Sequence, residues 1–220
     1  MAPEMRRDGR RQSWFAWVCL AAMVAVAAWF WSLDKRSAAL GTLVALGGCL
    51  ALMLPPRERM RRLPWRLRAL PRRLDAVPAL ASLLSSPGYG LNWFYGANPY
   101  DETVHLLSGV LAGAVFAALL LADGRARGAF RLVLAGAGSG LVLGIGWELF
   151  EWATGLIGDW TDTWTDVALT AAGSALGAAG WHGLARRRAR KAGRQPAPAA
   201  WPDAALPPRR LGPSGRLSGG

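Results

Sequence analysis

Apolar residues in this chain are gathered into long uncharged runs rather than into short periodic segments. A helix needs about 20 mostly apolar residues to cross the roughly 30 Å of hydrocarbon in a bilayer. Five runs reach that length: 14–33, 37–55, 102–122, 130–153 and 164–184. The first follows a basic stretch, as a secretory signal does, but its apolar residues continue through Trp29–Trp31, which favours an uncleaved span. The pattern predicts an all-α, polytopic transmembrane helical bundle.

A sixth, weaker run at 75–97 decides the predicted topology. It is broken by Pro78, Pro87, Gly88 and Gly90, and a broken helix is tolerated at membrane depth only where protein surrounds its backbone. Basic stretches mark the cytoplasmic side of a membrane protein. Here they lie at 6–11, 57–73, 125–131 and 186–191. A crossing at 75–97 places all of them, and both termini, in the cytoplasm, whereas the alternative is an interfacial loop with aromatic residues at the membrane surface.

Composition supports a membrane protein more than a nucleic-acid-binding one. Hydrophobic residues make up 52% of the chain, and the net charge of +12 comes from Arg clusters beside apolar runs, so no nucleic-acid partner is predicted. The expected partner is the lipid bilayer, with the Arg-rich stretch 57–73 lying on its cytoplasmic surface against anionic lipid. Cys19 and Cys49 both fall inside apolar runs, which indicates buried thiols rather than a disulfide.

Small residues recur at four-residue spacing in the last three strong runs, which places them on one face of each helix. They are Gly109 and Gly113, then Gly136, Gly140 and Gly144, then Gly173 and Gly177. Such faces let helix backbones approach closely in a membrane. We expect them to pack these three helices against one another, in preference to forming a homodimer.

Ionisable residues at the ends of the same helices predict a functional site. Asp101 and His105 are one helical turn apart, Glu148 and Glu151 end the next run, and Asp166 begins the last. From 132 to 185 the chain has five acids and no Lys or Arg. Ionisable groups at membrane depth are costly and usually face a bundle interior or a cavity. The predicted topology brings these helix ends together at the outer face.

Three chemistries fit an Asp/His/Glu group without a basic partner, because clustered carboxylates repel unless a cation or shared protons neutralise them. They are a divalent-metal site, a proton relay, and a pocket for a cationic or hydroxyl-bearing ligand. Asp159 and Asp162 are equally well explained as solvated loop acids. His182 lies 16 residues beyond Asp166, about 24 Å along a helix, and cannot join the group.

Several stretches together resemble the YjdF-like family of bacterial inner-membrane proteins. They are Tyr89–Asn92, Pro99–His105 with Gly109, Gly146–Trp152, and Asp162–Asp166 with Gly173 and Gly177. The order of Asp/His, Glu and Asp on successive helices is more distantly similar to VanZ-like proteins. The resemblance covers about 75–180 and implies a small helical protein of the bacterial inner membrane. It also implies functional weight at the positions that match, which are Asp101, His105, Glu148, Glu151 and Asp166.

These observations divide the chain into five segments. They are a basic cytoplasmic N-terminus (1–13), a two-span anchor (14–55), an Arg-rich cytoplasmic segment (56–74), a YjdF-like helical core (75–185) and a disordered cytoplasmic tail (186–220).

Three functions remain open from the sequence. The first is a metal-dependent or acid/base activity on an envelope or lipid-linked substrate, with His105, Glu148 and Asp166 as metal ligands or proton acceptors. The second is an ion-coupled small-solute transporter, and the third a structural membrane protein. Few polar residues continue inward from Thr170, which favours the first over the second. No reaction class follows, since the chain has no nucleophile elbow, phosphate loop or two-histidine zinc motif.

Overall fold

The structure, a computed structural model, describes residues 13–95, 98–154, 160–191 and 193. This portion of the chain is almost entirely helical and has no strands, which confirms the all-α membrane bundle. Its seven α-helices are α1 (Trp14–Ser32), α2 (Arg36–Met53), α3 (Trp65–Arg68), α4 (Ala76–Leu91), α5 (Tyr100–Leu121), α6 (Ala129–Thr154) and α7 (Trp160–Lys191). Short 3₁₀ turns lie at Arg57–Arg59, Arg72–Asp75 and Trp93–Tyr95. The predicted basic N-terminus, 1–13, lies outside the described residues except for Ser13. Of the predicted disordered tail, 186–220, the structure describes 193 and 186–191, and the latter continue α7 as helix.

Among the described residues, four helices are long and apolar enough to cross a membrane: α1, α2, α5 and α6. The predicted run 164–184 lies in α7, which has 32 residues and does not reach the same apolarity. The physical reason is its position, because α7 packs against both α5 and α6 and therefore faces protein more than lipid. It also continues to Lys191, past the predicted boundary at 185.

The weak run 75–97 forms α4, which runs antiparallel to α2 along most of its length. At one end, Asp75 accepts a hydrogen bond of 2.5 Å from Arg57, just beyond α2. At the other, Lys35 in the α1–α2 turn donates to the carbonyl of Gly90. With 16 residues α4 is shorter than an ordinary span, yet it extends between the same two levels as α2.

α1, α2 and α4 form one half of the bundle around a small apolar core. Met23 and Met53 are almost fully buried there, together with Cys19 and Cys49. Both cysteines are free thiols, as the sequence predicts.

α5, α6 and α7 form the other half, and their glycines are the contact points. An added Cβ at Gly109 would lie 2.5 Å from the carbonyl oxygen of Thr170 on α7. One at Gly140 on α6 would lie 2.6 Å from the same oxygen. α7 is thus held between α5 and α6 at backbone contact distance, which confirms that the glycine faces pack these three helices together.

The two ends of the bundle differ in charge. At one end the stretch 57–73 reaches the other half of the bundle, where Arg66 contacts Asp123 in the α5–α6 loop and Arg73 stacks 4.5 Å over the ring of Trp181. We call this the arginine end. Asp101, Glu151 and Asp162 lie at the opposite end of the bundle, where they line a small cavity together with Tyr89. We call this end of the bundle the acidic end.

Candidate metal site at the acidic end

Three predicted residues come together where α5 and α7 begin. Asp101 and His105 occupy the first two turns of α5, and Asp166 lies in the second turn of α7. Each offers one ligand atom, and these atoms all lie within 4.8 Å of one another. The pairing across helices depends on the close α5–α7 packing that Gly109 permits.

The two separations between His105 and the carboxylates fall in the range for ligands on a shared ion. His105 Nε2 lies 3.5 Å from Asp101 Oδ1 and 3.5 Å from Asp166 Oδ2. Good N–H···O hydrogen bonds are shorter, at about 2.7–3.2 Å. Ligands bound at about 2.0–2.2 Å around a tetrahedral ion lie about 3.3–3.6 Å apart. The spacing therefore fits a zinc-like ion better than it fits direct hydrogen bonds.

Thr170 orients the imidazole ring of His105. Its Oγ1 lies 3.2 Å from His105 Nδ1. With the proton on Nδ1 donated to Thr170, the lone pair of Nε2 faces Asp101 and Asp166. A ligating histidine ordinarily donates its second nitrogen to such a partner, which fixes the tautomer and the ring orientation.

Two buried carboxylate oxygens at this end have no hydrogen-bond partner among the described residues. They are Asp166 Oδ1 and Glu148 Oε1. The side chain of Asp166 is only 3% exposed. A buried acceptor left unsatisfied costs about 1–3 kcal/mol, and more when it is charged. A bound cation or a proton would remove that cost.

Glu148 and Glu151 lie beside the three-residue group and not within it. Glu148 is buried on α6 and interacts with Thr163 on α7. Glu151 accepts a hydrogen bond of 2.9 Å from Trp147 Nε1. The role of Glu148 as a metal ligand stays a prediction. Asp159, the other loop acid that the sequence singled out, lies outside the described residues.

Two cavities meet at His105. The larger has a volume of about 830 Å³ and lies between α2, α4 and the other half of the bundle, with His105 and Thr170 on its wall. The smaller, of about 80 Å³, is lined by Asp101, Glu151 and Asp162. Ser85, Tyr89, Tyr95, His105 and Trp147 line both. The imidazole therefore stands between an acidic recess and a much larger chamber.

The sequence did not predict this chamber. Its α4 wall carries Ser82, Ser85 and Ser86, and hydroxyls at that helical spacing in a weakly apolar segment were the available signal. Thr170, one turn beyond Asp166, was visible as a polar residue, but only the packing of α5 against α7 makes it the partner of His105.

Residues 13–188 match a family described as predicted membrane protein (DUF2238). The chain belongs to this family, and it is a multi-pass membrane protein that contacts the lipid bilayer. The match includes α1, α2 and the stretch 57–73 as well as the helices that carry the acidic site. No curated protein and no solved structure matches the chain significantly.

Proposed function

We propose that this protein is a membrane enzyme in which Asp101, His105 and Asp166 hold a divalent cation next to a lipid-linked substrate. One observation carries the proposal. A carboxylate that is 3% exposed, with one oxygen lacking a partner among the described residues, lies 3.5 Å from a histidine nitrogen.

The charges around the group support a cation rather than an anion. The neighbouring acids Glu148 and Glu151 add negative charge, and the chain has no Lys or Arg between 132 and 185. A divalent ion would offset the mutual repulsion of these carboxylates. Glu148, buried beside the group, would then be a further ligand or the acceptor of a proton from metal-bound water.

The position of the site supports a substrate carried by lipid. A chamber of about 830 Å³ opens directly beside His105, and ligand pockets in proteins are typically about 300–1,000 Å³. The ionisable side chains that line this chamber are Tyr89, Tyr95 and His105, all at its acidic end, whereas α7 beyond Thr170 is closed by packing, with Ser174 fully buried against Ser139. This supports a reaction at one face more than a path for ions through the bundle.

The charge difference between the two ends supports an orientation. We infer that the arginine end faces the cytoplasm, because Lys and Arg accumulate on that side. The acidic end then faces outward, and the chain lies in the bacterial inner membrane with both termini inside. Exposed Arg59, Arg61 and Arg62 would contact anionic lipid. Within the family, the Asp101/His105, Glu148 and Asp166 order supports a YjdF-like member and a more distant relation to VanZ-like proteins.

Metal analysis of the full chain in mild detergent tests the site. We expect about one divalent ion per chain and binding of added Zn²⁺ by calorimetry. His105→Ala and Asp166→Asn should weaken Zn²⁺ binding by more than the about 10- to 100-fold that loss of a supporting hydrogen bond costs.

Two matched variants control this experiment. His182→Ala removes the other histidine, which lies beside Trp181 at the arginine end, and Glu102→Gln removes an exposed acid next to Asp101. Both should bind Zn²⁺ like the natural chain. Equal binding by all five proteins, or none by the folded natural chain, would refute the proposed site.

Reporter fusions test the orientation. Fusions after Arg131 and Arg190 should report the cytoplasm, and fusions near Asp101 and Trp160 the periplasm. If positions 66 and 101 report the same side, then α4 does not cross and the site does not face outward.

A further inference from the structure

The larger cavity is only partly enclosed by the bundle. Gly41 and Ala45 of α2 line one wall, and Leu143 and Trp147 of α6 line another. The helices α2 and α6, both fully described, have no extensive contact with each other. Each packs mainly on helices of its own half, and α4 joins α2 to α5. The wall of the cavity is therefore least closely packed between α2 and α6.

This loosely packed side of the cavity lies at hydrocarbon depth. α2 and α6 are both long and apolar enough to span the membrane, and the lining residues of α2 extend from Ser37, its second residue, to Ala45 at its middle. Beside it, Val142 and Val44 are more than two-thirds exposed on the outer surface of the bundle. Apolar side chains exposed at this depth face lipid, so the loosely packed side of the cavity is next to the bilayer interior.

The wall of the cavity is more apolar than its residue types suggest. Ser85 donates to the carbonyl of Ala81 at 3.0 Å, Ser86 to that of Ser82 at 2.8 Å, and Thr42 to that of Ala38 at 2.9 Å. Each of these hydroxyls donates its hydrogen bond to a backbone carbonyl of its own helix, as Ser and Thr commonly do in transmembrane helices. What remains toward the cavity is largely carbon surface from small residues such as Ala81 and Ala112.

We propose that this cavity binds one hydrocarbon chain of a membrane lipid, which enters between α2 and α6. The chain lies along the α4 wall and its polar head reaches His105, where the large and small cavities meet. The head-group placement rests on the proposed function, whereas the binding of the hydrocarbon chain stands on the cavity alone.

Photolabelling of the full-length protein in vesicles tests the inference. A phosphatidylethanolamine with a diazirine in one acyl chain is included in phosphatidylethanolamine/phosphatidylglycerol vesicles, and a diazirine-tagged isoprenyl phosphate is used in parallel at the same mole fraction. Labelled positions are mapped by mass spectrometry. We expect Ala112 and Ser108, inside the cavity, to be labelled by at least one probe at a level comparable to exposed Val142. The probe that labels them more identifies the source of the chain.

Two glycines of α2 give a matched pair of variants. Gly41 lines the cavity and Gly47 does not. Both are solvent- or lipid-accessible, and an added Cβ at either meets nothing within 4 Å. Gly41→Leu should reduce labelling of Ala112 by about fivefold or more, since its side chain takes up space in the cavity. Gly47→Leu should leave labelling unchanged.

Two results would overturn the inference, one measured on the natural chain and one on the pair of glycine variants. No labelling of Ala112 and Ser108 in the natural chain by either probe overturns it without reference to any variant. Equal labelling in Gly41→Leu and Gly47→Leu overturns it as well. Zn²⁺ content is measured on the same samples, so that labelling without metal refutes only the metal site, and metal without labelling refutes only the lipid chain.

Discussion

Replacing Gly140 by Ala tests whether backbone contact between α6 and α7 holds the site together. The new Cβ would lie 2.6 Å from the carbonyl oxygen of Thr170 and 2.8 Å from Cα of Ala171. Ordinary carbon contacts are about 3.5–4.0 Å, so the helices must separate locally by about 1 Å. A gap of that size forfeits about a quarter to a half of each contact along the face. We expect a loss of about 1–3 kcal/mol in the free energy of unfolding.

A second glycine on the same helix provides the control. Gly138 is exposed, and an added Cβ there meets nothing within 4 Å. Alanine is favoured over glycine inside a helix by about 0.5–1 kcal/mol, so Gly138→Ala should be neutral or stabilising. The two variants make the same chemical change in one helix and should differ by about 1.5–4 kcal/mol.

Unfolding in detergent, followed by circular dichroism with increasing dodecyl sulfate, measures this difference. Zn²⁺ binding should fall with stability in Gly140→Ala, because Thr170 orients His105. Equal stability of the two variants would refute the packing argument. Normal Zn²⁺ binding in a destabilised Gly140→Ala would show that the α6 contact does not position the site.

Three further predictions follow from other contacts. Thr170→Val keeps the side-chain volume but removes the acceptor for His105 Nδ1. Zn²⁺ affinity measured by calorimetry should fall by about 10- to 100-fold, while the unfolding midpoint changes little. Unchanged affinity would contradict the orienting role of Thr170. Arg72 is 7% exposed and forms ion pairs with Glu58 and the buried Asp75. Arg72→Met should lower the free energy of unfolding by about 3–5 kcal/mol, and the exposed control Arg61→Met should lower it very little. A similar effect of both variants would refute a stabilising role of these ion pairs. Hydrogen bonds from Arg127 hold the pKa of Asp123 well below its usual value. The difference in unfolding free energy between the natural chain and Asp123→Asn should therefore be constant above about pH 5 and shrink as the pH falls below about 4. A difference that grows as the pH falls would refute the lowered pKa of Asp123 in the folded protein.

The sequence alone determined the class of this protein and most of its helices. Four of the five strong apolar runs form helices able to span a membrane, because length and apolarity are local properties that a bilayer selects directly. The glycine spacing also sufficed to predict which helices pack together, since only small side chains allow such close approach. Asp101 and His105 were predicted as a pair because one helical turn fixes their relative position.

Tertiary structure decided which residues of different helices come together in the site and around the cavity. Whether Asp101 or Glu148 joins His105 and Asp166 depends on how α5, α6 and α7 are rotated and displaced, and no local pattern encodes that. The same holds for α7, whose modest apolarity is explained by its place between two helices. The chamber beside His105 depends most on tertiary structure, because it is the space that α2, α4, α5 and α6 leave between them. A sequence specifies contacts through the residues that make them, whereas a cavity arises from contacts that are not made.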